Sequence, residues 1–292
     1  MTEGHVMTGD VDRRRFLAFL GAAVATAMTA CRGDVLPGAA AAAGAHAKAA
    51  RRPPADPVVP EGQPRPAVPV ARASTHGAIA PAVPGRPVVV QEGPRGTRLV
   101  ALTIDDGTSA ECVDRYASFA ERSGIPITFS PNGVNPGWDM VADRLRPLVD
   151  NGQVQIINHT WSHPDLLRVG DDRIRAEIER NEEWIERTFG VSARPWFRPP
   201  YGAHSRRTDE MAAELGYTRI VLWNGSFGDS ELLRPDEVLA LADRYLQPGT
   251  IMLGHANYLT ITGLFDQVQL LMLQRGLRPV TLDEMFYPAP AN

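Results

Sequence analysis

Residues 98–107 read RLVALTIDDG, an apolar, β-branched run that stops abruptly on two aspartates and a glycine. The run predicts a buried strand whose end carries a charged turn. Comparable runs lie at 126–130 (PITFS), 154–158 (VQIIN), 195–198, 219–223 (RIVLW), 250–254 (TIMLG) and 278–281, and between them stand helix-period stretches near 110–123, 138–151, 172–189, 205–216, 235–246 and 263–276. The clearest is 172–189, where Ile174, Ile178, Ile185 and Phe189 recur at helical spacing among Glu and Arg. Asp171 and Asp236 punctuate helix starts, and Gly216 and Gly276 helix ends. Repeated βα units with near-continuous apolar strands predict an α/β fold on parallel pairing, closed or open. Periodicity does not choose between a barrel and a doubly wound sheet. In both, reactive side chains follow the carboxyl ends of strands, and polar clusters there are the candidates for chemistry.

Five such clusters occur. Asp105-Asp106-Gly107 ends the first strand; adjacent carboxylates there are costly unless a metal or an arginine compensates them, and an Asp-Gly turn is the plainer reading. His159-Thr160-Trp161-Ser162-His163 follows 154–158 and spaces two of the chain's seven histidines so that both rings can aim at one point, as zinc ligands do. Arg198-Pro199-Pro200-Tyr201-Gly202 fixes the backbone beside a semi-buried guanidinium. Trp223-Asn224-Gly225-Ser226-Phe227-Gly228-Asp229 is a glycine-interrupted loop, and His255 closes the strand of Met252-Leu253-Gly254. Alone, each is also compatible with a turn, a surface histidine or a satisfied core histidine.

In this order, each after its own strand, the clusters resemble the polysaccharide deacetylase family (NodB homology, carbohydrate esterase family 4) over roughly 97–287. The resemblance implies a distorted, incomplete (β/α) barrel with a groove at the strand carboxyl ends. TIDDG at 103–107 makes Asp105 the general base and Asp106 a metal ligand; HTWSHPDL at 159–166 makes His159 and His163 the other ligands. In RPPYG at 198–202, Arg198 would orient Asp105 and the Tyr201 N–H would face an oxyanion; in LGH at 253–255, His255 would be the general acid. One carboxylate and two imidazoles leave open positions on a divalent ion, the pattern of a catalytic site. The implied cofactor is one such ion, zinc first, with cobalt or nickel as alternatives. It would lower the pKa of bound water from 15.7 towards about 7, and one oxyanion donor is worth roughly 3 kcal/mol.

The fourth cluster departs from the family pattern Trp-x-x-Asp-x-x-Asp-Trp. Ser226 replaces the aspartate that would tune the acid histidine, Ser230 replaces the second tryptophan, and only Trp223 and Asp229 match. Without a carboxylate beside it His255 would be a weaker acid. Either Asp229 takes that place, or the site prefers a leaving group that needs less protonation, such as an ester alkoxide. Ala256-Asn257 follows His255 in place of the common Asp. Two functional readings follow: a metal-dependent hydrolase that removes N-acetyl, or also O-acetyl, groups from an extracytoplasmic glycan, and a non-catalytic glycan-binding lipoprotein that keeps the groove.

The rest of the chain gives context. Its 292 residues, 43% hydrophobic and 22% charged, exclude a collagen-like, coiled-coil or wholly disordered protein. Residues 97–292 carry 19 basic against 27 acidic residues, a net of −8 that repels phosphate and excludes nucleic acid as the expected partner. Arg13-Arg14-Arg15 precedes a charge-free apolar run from Phe16 to Ala30, resembling a twin-arginine export signal over 1–31, and Met28-Thr29-Ala30-Cys31 resembles a lipobox that would lipidate Cys31. Export to the cell envelope is expected, with the chain lipid-anchored to the outer face of the cytoplasmic membrane or secreted. Its membrane contact would come only through that anchor or an uncleaved signal. Residues 32–96, with Pro at 53, 54, 57, 60, 64, 66, 69, 81, 84, 87 and 94, read as an extended linker without ladder or helix, and 288–292 as a tail. Cys112 is expected as a buried or free thiol. Of five tryptophans, Trp161 and Trp223 are candidates for stacking on sugar, with core packing as the alternative for each.

Overall fold

A computed structural model describes residues 85–287. The export signal with Cys31, the linker up to residue 84 and the tail from 288 lie outside the described residues. Nine strands appear in chain order: β1 (Val88–Val90), β2 (Leu99–Asp106), β3 (Ile127–Pro131), β4 (Val154–Ile156), β5 (Trp196–Phe197), β6 (Arg219–Val221), β7 (Gly225–Ser226), β8 (Ile251–His255) and β9 (Arg278–Val280). The helices are α1 (Ala110–Ser123), α2 (Gly137–Asp150), α3 (Asp171–Phe189), α4 (Arg206–Glu214), α5 (Pro235–Tyr245), α6 (Phe265–Gln274) and α7 (Leu282–Phe286). The described residues thus form the expected α/β fold, and every strand pairing in it is parallel.

The strands form one sheet of order β4-β3-β2-β8-β7, with β9 paired to the start of β2, and a second of order β1-β6-β5. A single parallel bridge, Asn158 to Phe197, joins them. Among the described residues no ladder closes the ring, so the architecture is an incomplete barrel. One expectation is corrected here. Val88–Val90 lies within the stretch read as a ladder-free linker, yet it pairs in register with Arg219–Val221. Proline flanks this strand at 87 but does not interrupt it, and β1 stands at the end of its sheet's strand order, where a missing N–H is tolerated.

Local chemistry explains why the helices sit where they do. In α1 the Ser109 side chain accepts from the Cys112 N–H, and Gly124, with φ 70°, ends the helix in the left-handed conformation. Its buried face, Cys112, Val113, Tyr116, Ala117, Phe119 and Ala120, follows helical periodicity onto the sheet. Helix α3 also buries Glu177, Asn181 and Glu182: Glu177 accepts from Ser162 and Asn181 from the Gly133 N–H, in loops near the site, while Glu182 accepts from Ser192 and Arg194 ahead of β5. Trp138, Trp184 and Trp196 are core residues. The register sets the site: Asp105 lies opposite Ser130 of β3 on one side and His255 of β8 on the other. Among the described residues no helix is long and apolar enough to cross a membrane.

Candidate active site

At the end of β2, Asp105 is buried and its Oδ1 accepts hydrogen bonds from Arg198 Nη1, at 2.8 Å, and from the Ser130 hydroxyl. Arg198 is fully buried. It also donates to Thr103 Oγ1 at 2.8 Å and to the carbonyls of Val221 and Leu222, so its planar fork is held on several sides. Charge neutralisation by the guanidinium makes a buried carboxylate tolerable here. The other oxygen, Oδ2, is left facing His159 Nε2 at 3.6 Å.

Asp106 has a left-handed backbone, with φ 69°, and its Oδ1 meets the same imidazole, 3.4 Å from His159 Nε2. Its carbonyl accepts from Asn132 N–H at 3.2 Å, Asn135 Nδ2 at 3.1 Å and Trp138 Nε1 at 2.8 Å, three anchors that hold this costly conformation. Glycine is required next. Gly107 has φ 97°, and a Cβ there would come within 2.1 Å of Trp138 Nε1. Thr160 (φ 68°), His163 (φ 56°) and Tyr201 (φ 60°) are the other non-glycine residues with positive φ among the described residues, and with Asp106 all four belong to the predicted clusters. Such strain collects where side chains must be aimed. Asn158 Oδ1 and Asn132 Nδ2 grip the N–H and C=O of Thr160.

Asp106, His159 and His163 offer three ligand atoms, all within 4.8 Å of one another. Each Nε2 lies 3.4 Å from Asp106 Oδ1. That oxygen is buried and has no hydrogen-bond partner, an expensive state unless a cation satisfies it. His159 Nδ1 is 2.7 Å from the Arg198 carbonyl, which can only accept, so the proton sits on Nδ1 and Nε2 presents its lone pair. Burial opposes charge on His159, but Asp105 and Asp106 prevail and raise its pKa; a cation competes with that proton. Burial and the neighbouring His159 push His163 down to about 4, keeping its ring neutral and free to ligate. Burial would raise Asp106, but His159, His163 and His255 hold it below the usual carboxylate range. The donor set therefore fits one divalent ion with positions left open.

Opposite this cluster, Asp229 stands beside His255. Its Oδ1 accepts from Nδ1 at 3.1 Å and its Oδ2 from the His255 main-chain N–H, also at 3.1 Å. Burial lowers the His255 pKa, but Asp229 outweighs it and the net shift is upward. Ser226 does not share this task; its hydroxyl accepts from the Gly228 N–H within its own turn. Of the two alternatives left by the fourth cluster, the structure has Asp229 at the histidine.

Tyr201 is exposed, and its ring meets that of His163 edge-on at 4.4 Å. Trp223 packs beneath Gly202, where a Cβ would approach it to 2.8 Å, and near the Arg198 guanidinium. Trp161 is half-buried with the Arg180 guanidinium 4.0 Å over its ring. Cys112 is buried, and its thiol is pushed up to about 12, first by burial and then by Asp229. Sequence reading gave no role at the site to Ser130, Asn132, Asn135, Trp138 or Asn257, all of which touch Asp105 or Asp106. The first two were within reach of the strand-end rule, since SPN at 130–132 closes a predicted strand.

Residues 92–220 match the sequence model of the family described as Polysaccharide deacetylase. The peptidoglycan-N-acetylglucosamine deacetylase of Bacillus cereus is 29% identical over 198 residues, which are 66% of this chain and 70% of the relative. A deacetylase solved with substrate is 30% identical, with a TM-score of 0.59 over 66% of this chain and 93% of its own. A family 4 carbohydrate esterase pseudoenzyme from Bacillus anthracis has a TM-score of 0.62 over 70% of this chain and 71% of its own, at 21% identity, a likeness of fold alone.

Proposed function

This chain belongs to the polysaccharide deacetylase family, and from that premise we propose that it is a metal-dependent hydrolase that removes acetyl groups from an extracytoplasmic glycan. The observation that carries the reading is the meeting of Asp106 Oδ1, His159 Nε2 and His163 Nε2, with Asp105 and His255 on adjoining strands beside them. A divalent cation held by those three atoms, zinc by preference and cobalt or nickel as substitutes, supplies acidification of a water molecule and polarisation of the acyl carbonyl.

The chain's own groups do the rest. Asp105 Oδ2 takes the water proton, while Arg198 and Ser130 keep Oδ1 occupied and the carboxylate aimed. The water oxygen joins the acyl carbon, and the bond from that carbon to nitrogen breaks. Amine leaves poorly unless protonated, and His255 delivers the proton from Nε2 while Nδ1 stays bonded to Asp229. The products are acetate and a free amino sugar. The Tyr201 N–H is assigned to the developing oxyanion. The same transfers serve an O-acetyl ester.

The relative from Bacillus cereus bears a name that points to N-acetylglucosamine in peptidoglycan, and an N-acetylated wall or extracellular glycan is the substrate class proposed here. Export through residues 1–31, with Cys31 as a lipid anchor or with release, would place the enzyme at that substrate. The rival reading, a glycan binder without turnover, rests on Ser226 in the fourth cluster; the Asp229–His255 pair supports the enzyme instead.

The test is acetate release by the purified full chain, loaded with zinc or cobalt, from peptidoglycan, a chitin oligomer and acetylated xylan. Release from at least one is expected. No acetate from any of them, with metal bound stoichiometrically, would favour the binder.

A further inference from the structure

Asn257 stands two residues beyond His255, and both ends of its amide are engaged with the loop after β2. Its Oδ1 accepts from the Thr108 main-chain N–H at 3.1 Å and from Thr108 Oγ1 at 2.8 Å. A main-chain N–H can only donate, so the atom facing it is the oxygen, and the NH2 group is the one directed at Asp106. That group donates to Asp106 Oδ2 at 2.7 Å. The main chain of the same loop is fastened alongside: the Ala256 N–H donates to the Asp105 carbonyl at 2.9 Å, and the Ser109 N–H to the Ala256 carbonyl at 3.2 Å.

The amide thus divides the two oxygens of one carboxylate. Oδ2 is committed to Asn257, and Oδ1 remains buried, without a hydrogen bond, 3.4 Å from each histidine Nε2. Aspartate at 257 could not do this, because an oxygen in place of Nδ2 would face Asp106 Oδ2 at hydrogen-bond distance as a like charge. Alanine would leave the carboxylate free to rotate or to offer both oxygens. We propose that Asn257 is a positioning residue that restricts Asp106 to ligation through a single oxygen and so sets the affinity and coordination of the metal site. The proposal rests on the reading of Asp106, His159 and His163 as the ligand set.

The experiment uses the full chain, stripped and reloaded. Zinc affinity is measured by competition with a chromophoric chelator, and cobalt(II) coordination by its visible absorption. Asn257→Ala and the near-isosteric Asn257→Asp are expected to bind zinc about 10- to 100-fold more weakly. They should also give a cobalt spectrum altered in band position or intensity, which a merely structural residue would not change. Should alanine fail to fold, the aspartate variant carries the test alone. Zinc affinity within about twofold of wild type, together with an unchanged cobalt spectrum, would overturn the proposal. Asp106→Asn separates the two claims. If it keeps wild-type zinc affinity, the ligand set itself is wrong; if it loses zinc while the Asn257 variants do not, only the positioning role fails.

Discussion

Asp229 grips His255 with both of its carboxylate oxygens, one on the ring Nδ1 and one on the main-chain N–H, each at 3.1 Å. The first bond places the neutral ring's proton on Nδ1 and the second fixes the ring's carrier, so Nε2 is the atom at which the ring gains and gives up its second proton. Position 226, where the family pattern has a carboxylate, is a serine bonded within its own turn.

From this pair comes a prediction for pH. Burial alone would lower the His255 pKa, and Asp229 turns the shift upward. The acid form therefore persists to higher pH than it would unaided, and activity is lost as pH rises through the folded-state value. Asp229→Asn removes the raising charge, so the alkaline limb of the kcat profile should move to lower pH, with kcat reduced about tenfold or more at pH 8. An alkaline limb that stays in place would remove His255 from the role of acid.

Metal removal should affect both stability and activity. Without a cation the buried Asp106 Oδ1 has no partner. A ligand that binds only the folded state stabilises it by about 2.7 kcal/mol at a free concentration 100 times its Kd. Chelation is expected to lower Tm and abolish acetate release, with zinc or cobalt restoring both. A Tm and an activity that do not respond to exhaustive chelation would contradict the ligand set.

Arg198 offers a distinction between charge and shape. Lysine in its place keeps a positive charge but cannot reach Asp105, Thr103 and two carbonyls together. Arg198→Lys should retain stoichiometric zinc and lose kcat far more than KM, whereas Arg198→Ala strands a buried carboxylate and should cost about 3–5 kcal/mol of stability. Wild-type kcat in the lysine variant, measured by acetate release, would show that orientation of Asp105 does not matter.

How far the sequence carries depends on the range of the interaction. Strands β2, β3 and β8 are legible because parallel strands buried on both faces are apolar along their length, and helix α1 because its cap and its closing glycine are local. Asp105, Asp106, His159, His163, Arg198 and His255 stand out as polar groups at strand ends. Strand β1 is hidden by prolines at 84 and 87, and the two-residue β7 carries no periodic signal at all. The residues that aim Asp106 escape notice for another reason. Asn132 and Trp138 reach it across 26 and 32 residues of chain, and nothing local distinguishes them from ordinary loop or core positions; Asn257 is visible as a departure beside His255, but only the fold shows that it reaches Asp106 across 151 residues. Asp229 lies between these extremes: its motif is readable, but only the fold shows which of two partners faces His255.

The central claim is that Asp105 takes a proton from water beside a cation that it does not itself hold. The most direct measurement is acetate release by Asp105→Asn, loaded with zinc and assayed beside wild type on the same N-acetylated glycan. The account predicts one zinc per chain and a loss of kcat of at least about 100-fold. Undiminished acetate release from the zinc-loaded variant would contradict it.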